Sequence, residues 1–474
     1  MGVVDRAALT RTVEGLWDDA VLPSLSELVA VPAVSPGFDP QWRENGQLDA
    51  AVDLMRRWIA SRGLPGATLE VIQLADRSPL LMVDIPGTDG ADAGTVLLYG
   101  HLDKQPPMDG WDEGLGPWTP VIRDDRLYGR GSVDDGYAGF AAVAALEALR
   151  VNGGAYSRCV LLLETGEESG SPDLPAYLEL LSERLGRVSL VVCLDSGAGD
   201  YERMWLTTSL RGLVQIQVTA RVLDVGQHSG SASGVVPSSF RVLRILLDRI
   251  EDAATGEITL PELAVEVPAD RMAEIEATVE VMRGTLDAAF PMTDGVRMVS
   301  DDELELTLNR TWRATLSVTG AEGLPAPADA GNVLRPSTGL CLSFRLPPTA
   351  DSQKALAAIE RTLTSDAPYN ARIELSRREA ANGWNAPTLA PWLRDALDAA
   401  SEDVFGEPWR TLGEGGSIPF MGLLSEAYPD AQFVVTGALG PGSNAHVPNE
   451  SLHLDYVKKV TAGVALILDA HSRS

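Results

Sequence analysis

Positive charge is scarce in this chain of 474 residues. Its 38 lysines and arginines stand against 67 aspartates and glutamates, and the formal net charge is -29. Nucleic acid is bound by clustered Lys and Arg that neutralise phosphates, and anionic membrane surfaces attract the same basic clusters. We therefore expect no nucleic acid and no membrane among the partners. The acidic excess is explained by a solvated acidic surface.

Cysteine and long apolar runs are also scarce. Cys159, Cys193 and Cys341 lie far apart inside short apolar stretches and match no zinc-ribbon spacing. We interpret them as small buried residues of a reducing compartment. No apolar run is long enough to span a bilayer, and the amino terminus lacks the pattern of a signal peptide. These absences predict a cytoplasmic protein. A glycine-rich phosphate loop is missing too, which argues against phosphate chemistry.

Short apolar runs alternate with helical patterns over residues 1–209. The predicted strands are Leu80–Ile85, Val96–Tyr99, Cys159–Leu163 and Leu190–Leu194. Helical patterns follow Gly139 and cover Leu174–Leu185. The order of strand, helix and strand predicts an α/β fold with a mixed, mostly parallel sheet flanked by helices.

The pattern changes over residues 210–384. There the segment LVQIQVTARV alternates apolar and polar residues, as a half-exposed strand does. The elements predicted after it are a helix (Ser238–Ile250), strands (Thr311–Val318 and Leu340–Leu346), a helix (Asp351–Leu363) and a strand (Arg372–Ser376). This order predicts a ferredoxin-like α+β domain with an acidic insertion at Glu251–Arg310. The mixed pattern returns over residues 385–474, so we predict one domain, 1–209 with 385–474, interrupted by the inserted domain 210–384.

Ionisable side chains follow the carboxyl ends of three predicted strands. His101 and Asp103 follow one strand, Glu167 and Glu168 a second, and Asp195 a third. In sheets of this kind sites form beyond the carboxyl ends of the strands. We therefore expect these side chains to share one site.

Each of these groups also has an ordinary explanation. Adjacent carboxylates such as Glu167 and Glu168 repel each other at the end of a buried strand, and a cation would relieve that cost. An exposed acidic loop is the alternative. Asp195 is either a turn former or a ligand. His101 and Asp103 are either a structural pair or a ligand with the carboxylate that fixes its tautomer.

Three further ionisable residues lie in glycine-rich loops. Asp134 and Asp135 belong to GRGSVDDGYAG, and His446 belongs to GPGSNAHVPNE. Aspartate before glycine is common turn chemistry, and Asp135 could instead cap the helix that follows. Taken singly, these residues leave structural and functional interpretations open.

Taken together, the groups favour a two-metal hydrolase. Nitrogen and carboxylate ligands without thiolate suit zinc, with manganese or cobalt as alternatives. Two ions about 3.5–4 Å apart would activate water and polarise a carbonyl. A spare Glu would then move a proton to the leaving amine.

The chain resembles the M20 metallopeptidases, and within them the cytosolic nonspecific dipeptidase and carnosinase branch. The matching segments run in the family's order over nearly the whole chain: GHLDKQPP, GRGSVDDGYAG, ETGEESGS, LDSG, QHSG, NVLRPSTG, SFRLPP, GGSIP and NAHVPNE. The resemblance implies two divalent metal ions per subunit, a small peptide substrate, and a homodimer through the inserted domain, which would also act as a lid. An N-acyl amino acid deacylase on the same fold is the alternative, and a non-catalytic metal-binding scaffold is the alternative from another class.

The resemblance also implies a role for each matching residue. Glu167 would be the general base and acid, and Asp103 would orient His101. Asp134 would bridge the two ions and precede a cis peptide bond. The full implied set of metal ligands is His101, Asp134, Glu168, Asp195 and His446, with the two histidines on different ions.

Substrate contacts are implied for the inserted domain and the segment after it. They would be His228, Asn332, Arg345, Gly416 and Ser417. A surface histidine in a loop and an arginine on an exposed strand face are the ordinary alternatives for His228 and Arg345. The chain departs from the family at Gly136, where many relatives have Lys, and at Lys104, where a small apolar residue is frequent. Both departures lie near the predicted site, so we expect them to bear on the substrate.

Overall fold

The computed structural model describes residues 4–88, 91–290, 292–416 and 419–474. The chain divides into two compact units. Unit 1 comprises Met1–Thr208, Ala386–Leu412 and Leu423–Ser474, and unit 2 comprises Ser209–Asn385 and Gly413–Gly422. Within the described ranges, no helix has the length and apolar character that crossing a membrane requires.

The elements of both units follow in chain order. The helices are α1 (Arg6–Leu16), α2 (Leu22–Val29), α3 (Trp42–Asn45), α4 (Gln47–Ser61), α5 (Ala138–Val151), α6 (Leu174–Leu185), α7 (Ser229–Ala232), α8 (Ser239–Leu247), α9 (Ala269–Val281), α10 (Thr285–Ala289), α11 (Glu303–Thr311), α12 (Ser352–Thr364), α13 (Pro391–Ala400), α14 (Pro419–Ala427) and α15 (Leu454–His471). The strands are β1 (Thr68–Ile72), β2 (Leu80–Ile85), β3 (Thr95–His101), β4 (Val121–Arg123), β5 (Arg126–Tyr128), β6 (Cys159–Glu164), β7 (Val188–Cys193), β8 (Trp205–Leu210), β9 (Gly212–Arg221), β10 (Gln227–His228), β11 (Thr315–Glu322), β12 (Val333–Leu334), β13 (Ser337–Leu346), β14 (Arg372–Ala381), β15 (Trp384–Asn385), β16 (Arg410–Glu414), β17 (Gln432–Val435) and β18 (Ser451–His453).

The main sheet of unit 1 has the strand order β1-β2-β6-β3-β7-β17. Strands β6, β3, β7 and β17 run parallel, whereas β2 and β1 are antiparallel to their neighbours. This confirms the predicted α/β fold with a mixed, mostly parallel sheet. The register pairs His101 with Glu164 and Tyr99 with Cys193, so the carboxyl ends of the three central strands meet at one edge.

Apolar sequence explains why β3 and α5 lie at the centre of unit 1. Every residue of β3 is buried, as expected for a parallel strand covered on both faces. Helix α5 is apolar on nearly all sides, contacts β3 and β6, and packs against α1 and α15. Only Tyr137 separates its first residue, Ala138, from the GRGSVDDG loop. The buried helix therefore anchors that loop at the edge where the central strands end.

Unit 2 contains a four-stranded antiparallel sheet with the order β11-β13-β9-β14. Helices α8 and α12 contact this sheet, and their apolar residues share one core with it. The element order and strand order are those of the predicted ferredoxin-like arrangement. The strand predicted at Thr311–Val318 begins later, because Thr311 is the last residue of α11. The acidic insertion contains helices, and Ile275, Leu308 and Trp312 form a separate small core there.

Candidate metal centre

The ends of the central strands supply three groups of the candidate centre. His101 is the last residue of β3, and Asp195 comes two residues after β7. Glu167 and Glu168 lie in a 3-10 turn that follows β6. The buried strands thus deliver these side chains to one edge of the sheet, as the sequence predicted.

His101, Asp134 and Asp195 form a first trio. The His101 Nε2 atom lies 3.2 Å from Asp134 Oδ1 and 3.6 Å from Asp195 Oδ2. All three side chains are buried. They are potential metal ligands within 4.8 Å of one another.

Asp134, Glu168 and His446 form a second trio. The His446 Nε2 atom lies 2.9 Å from Asp134 Oδ2 and 3.2 Å from Glu168 Oε2. Asp134 therefore presents one carboxylate oxygen to each histidine. This is the arrangement that a carboxylate bridging two sites would need. The side chain of Glu168 is buried, whereas 55% of the His446 side chain is exposed.

The charges of the two trios fit divalent cations. Hydrogen bonds to Asp134 and Glu168 raise the pKa of His446 to about 11. Burial lowers the pKa of His101, but its hydrogen bonds to Asp103 and Asp134 outweigh this effect, so the pKa lies well above the usual value. Protons on both histidines thus supply positive charge among the carboxylates. A divalent ion in each trio would supply positive charge in place of these protons, and nitrogen and oxygen donors suit such ions.

Glu167 is a largely buried carboxylate that belongs to neither trio. Its Oε2 atom lies 3.9 Å from His101 Nε2, and its side chain is 15% exposed. Burial, together with the charges of Asp195 and Glu168, raises the pKa of Glu167 well above the usual range. This carboxylate can exchange a proton beside the two trios without being one of their ligands.

Asp103 also supports the turn that carries the two glutamates. Its carboxylate accepts hydrogen bonds from the backbone N–H groups of Glu167, at 3.2 Å, and Glu168, at 3.1 Å. The Nδ1 atom of His101 lies 3.0 Å from the Asp103 backbone oxygen and 3.5 Å from its carboxylate. Asp103 therefore fixes the turn that carries both glutamates as well as flanking His101. No local signal in the sequence indicates this, because β3 and β6 meet only in the sheet.

The GRGSVDDG loop brings Asp134 and Asp135 to the site. The Asp134–Asp135 peptide bond is cis, as the resemblance implied. Asp135 does not cap α5, whose N-terminal residue makes no side-chain capping bond. Its carboxylate instead accepts a hydrogen bond from the backbone N–H of His101. Asp135 thus ties the loop to the end of β3.

Lys104 and Gly136 support the scaffold of this loop. The Lys104 ammonium donates hydrogen bonds to the backbone oxygens of Leu28, Val29 and Val31, where α2 ends. Its donors are thus occupied by backbone, and an effect of Lys104 on the substrate stays a prediction. At Gly136, a Cβ atom would lie 2.4 Å from the Gly131 oxygen, so the loop closes only around glycine.

The predicted substrate residues lie in unit 2, and two of them are neighbours there. His228 pairs with Val333 in a short antiparallel ladder, and the backbone oxygen of Asn332 accepts a hydrogen bond from Ser229 N. The exposed His228 ring accepts a hydrogen bond from Gly230 N. Arg345 is half-buried near the end of β13, whereas Asn332 lies before that strand begins. Gly416 is exposed, and Ser417 lies outside the described residues.

Comparisons with known proteins agree with this site. The family model described as peptidase family M20/M25/M40 matches residues 97–470. The cysteinylglycine-S-conjugate dipeptidase of Corynebacterium striatum is 27% identical over 381 residues, which cover 80% of this chain and 81% of that protein. The succinyl-diaminopimelate desuccinylase of Methylobacterium sp. (strain 4-46) is 35% identical over 354 residues, which cover 72% and 80%.

Solved structures show the same fold. The crystal structure of human carnosine dipeptidase 1 matches with a TM-score of 0.75 at 22% identity and covers 99% of both chains. The family match spans both loops and all three strand ends that build the two trios. The chain belongs to peptidase family M20/M25/M40.

Proposed function

We propose that the protein hydrolyses the amide bond of dipeptides or other small peptides with the help of two divalent metal ions. The observation that carries this proposal is the position of Glu167. It is a largely buried carboxylate beside two trios of potential ligands, and it belongs to neither. A protein that only stored metal would have no need for such a group.

The two trios would hold the ions. His101, Asp134 and Asp195 would bind one, and Asp134, Glu168 and His446 would bind the other. Zinc is the preferred ion, with manganese or cobalt as alternatives, because the donors are imidazole and carboxylate without thiolate. When bound, such ions lower the pKa of water and polarise the scissile carbonyl.

Glu167 would act as the general base and then as the general acid. Its Oε2 atom would take a proton from the attacking water and deliver it to the departing amide nitrogen. Burial favours the protonated form, so the carboxyl group would hold that proton between the two transfers. Asp103 would keep Glu167 in place, because it accepts the hydrogen bond from the Glu167 backbone N–H.

Substitutions of the two adjacent glutamates test these roles. Glu167→Gln should retain both metal ions and lose turnover by about 10²–10⁴-fold, because only the proton carrier is removed. Glu168→Gln should lose metal as well as turnover, because this side chain belongs to the second trio. Metal content and the hydrolysis of a dipeptide would be measured on the same samples. A Glu167→Gln protein with the wild-type rate would contradict the mechanism.

An N-acyl amino acid deacylase is the second candidate function. It is supported by the 35% identity to a succinyl-diaminopimelate desuccinylase. The same two trios and the same Glu167 would serve this reaction, since both reactions hydrolyse an amide. A panel of dipeptides and N-acyl amino acids, including N-succinyl amino acids, would separate the two by their kcat/KM values.

For the rest of the chain, we propose that residues 210–384 form a lid and dimerisation domain between catalytic segments 1–209 and 385–474. Its proposed substrate contacts are His228, Asn332 and Arg345, and the segment after it would contribute Gly416 and Ser417. The protein would be a cytoplasmic homodimer. His228→Ala should reduce turnover strongly and leave metal content unchanged, and a variant with the ordinary rate would remove His228 from the proposed site.

A further inference from the structure

A buried ion pair joins the loop that carries Asp134 to Glu450, four residues after His446. Arg130 Nη1 donates a hydrogen bond to Glu450 Oε2 at 2.6 Å, and both side chains are 1% exposed. Removal of one partner from such a pair leaves an uncompensated buried charge, which is costly. Glu450 therefore occupies a site where burial of its charge is costly, and the proposed mechanism gives this residue no role.

Glu450 is also bonded to the backbone of the loop that carries Asp134. Its Oε1 atom accepts hydrogen bonds from Gly131 N, at 2.9 Å, and Val133 N, at 3.3 Å. Its backbone oxygen accepts a third bond, at 3.0 Å, from Gly129 N. The residue just before Asp134 is thus held directly by the Glu450 carboxylate.

The same glutamate ends the loop that carries His446. A hydrogen bond from Ser451 N to Ser443 O, at 2.8 Å, closes this loop. Within it, Asn444, His446 and Asn449 have φ angles of 55°, 66° and 65°. The left-handed region is uncommon for residues other than glycine, although Asn and His adopt it more readily than most. Glu450 fixes this loop, because its side chain is anchored in the neighbouring one.

We propose that Glu450 is a positioning residue that sets His446 against Asp134 and so shapes the second trio. His446 and Asp134 lie far apart in the sequence, and their side chains meet at 2.9 Å. The Glu450 carboxylate accepts hydrogen bonds from the segment just before Asp134. In the sequence, Glu450 lies four residues after His446. This inference rests on the proposed metal centre, because the trio that it shapes is one of the two proposed ion sites.

Zinc titration of the metal-free protein by calorimetry tests the proposal. The wild-type protein should bind two ions. Glu450→Ala should weaken one of them by about 10–100-fold, as loss of groups that orient metal ligands does. Glu450→Gln should weaken the same ion less, because its amide oxygen can still accept hydrogen bonds from Gly131 and Val133. Equal losses in both variants would mean that Glu450 acts through its charge alone, and the positioning role would be overturned.

A double-mutant cycle identifies the affected ion. His446→Ala removes a ligand of the second trio only. In that background, Glu450→Ala should cause a smaller further loss than it does in the wild type, because one of the two ligands that it aligns is gone. Additive losses would place the effect of Glu450 elsewhere and overturn the inference.

Glu147→Ala is the matched control. It breaks a second ion pair of unit 1, in which Arg62 Nε and Nη2 contact Glu147 at 2.8 and 2.9 Å. This variant should lose thermal stability and keep the wild-type zinc affinities. Glu450→Ala with wild-type affinities for both ions would refute the positioning role alone. A wild-type protein that binds no zinc would refute the proposed metal centre as well.

Discussion

Replacement of Gly136 with alanine should destabilise the protein, although it adds only one methyl group. A Cβ atom at this position lies 2.4 Å from the backbone oxygen of Gly131 and 3.3 Å from Leu28 Cδ2. Comfortable contacts of carbon begin at about 3.5 Å, so the overlap with the oxygen is about 1 Å. That oxygen also accepts the hydrogen bond from Gly136 N, at 3.2 Å. The clash can therefore be relieved only by a shift of the loop that carries Asp134.

The size of the effect follows from these contacts. Overpacking of a well-packed interior costs about 1–3 kcal/mol. A strained or broken hydrogen bond to Gly131 adds about 1 kcal/mol. We expect Gly136→Ala to lower the free energy of unfolding of the metal-free protein by about 2–4 kcal/mol.

Gly15 provides a control with the opposite sign. It lies in α1, is exposed, and has no atom within 4 Å of the position of an added Cβ. Alanine is favoured over glycine in a helix by about 0.5–1 kcal/mol, so Gly15→Ala should stabilise the protein. Both substitutions add the same atoms, and only the surroundings differ.

Urea denaturation followed by circular dichroism would compare the three proteins without metal. The unfolding midpoint should fall for Gly136→Ala and rise slightly for Gly15→Ala. A midpoint of Gly136→Ala equal to that of the wild type would refute the packing argument. It would also reopen position 136 as a site where a side chain could reach the substrate.

Two other substitutions test the scaffold of unit 1. Asp103→Asn leaves one acceptor for the two N–H groups of Glu167 and Glu168. It should lower the free energy of unfolding by about 1–3 kcal/mol and weaken zinc binding, as measured by urea denaturation and zinc titration. Unchanged zinc affinity would contradict this role of Asp103. Burial and the charge of Arg187 lower the pKa of His471 to about 4. Because an unfolded histidine has a pKa of about 6.5, the unfolded chain binds more protons between these values, and stability falls on acidification. Between pH 7.5 and pH 5 the free energy of unfolding falls by about 2 kcal/mol for this reason. His471→Gln should lack this loss when free energies of unfolding are compared at the two pH values. An unchanged pH dependence in the variant would show that His471 is not the source of the loss.

The sequence predicts the strands and the side chains that follow them. Uninterrupted apolar runs identify β3 and β6, since a strand buried on both faces needs such residues along its whole length. The position of His101 and Asp195 at strand ends then places them at one edge of a parallel sheet. These predictions succeed because they depend on local pattern and on a general rule of sheet geometry. The strand start predicted at Thr311 fails for the complementary reason: Trp312 packs with the helical insertion, and this tertiary contact overrides local preference.

Only the tertiary structure decides which partner each of these side chains contacts. It gives each oxygen of Asp134 a different histidine, and it turns the carboxylate of Asp103 to the backbone of the glutamate turn. It also binds the Lys104 ammonium to the end of α2 and leaves no space beside Gly136. Such relations depend on distances of a few ångströms between segments that are far apart in the sequence. Side-chain identity sets which hydrogen bonds and charges are available, and the packing of the sheet and its loops decides which partners they find.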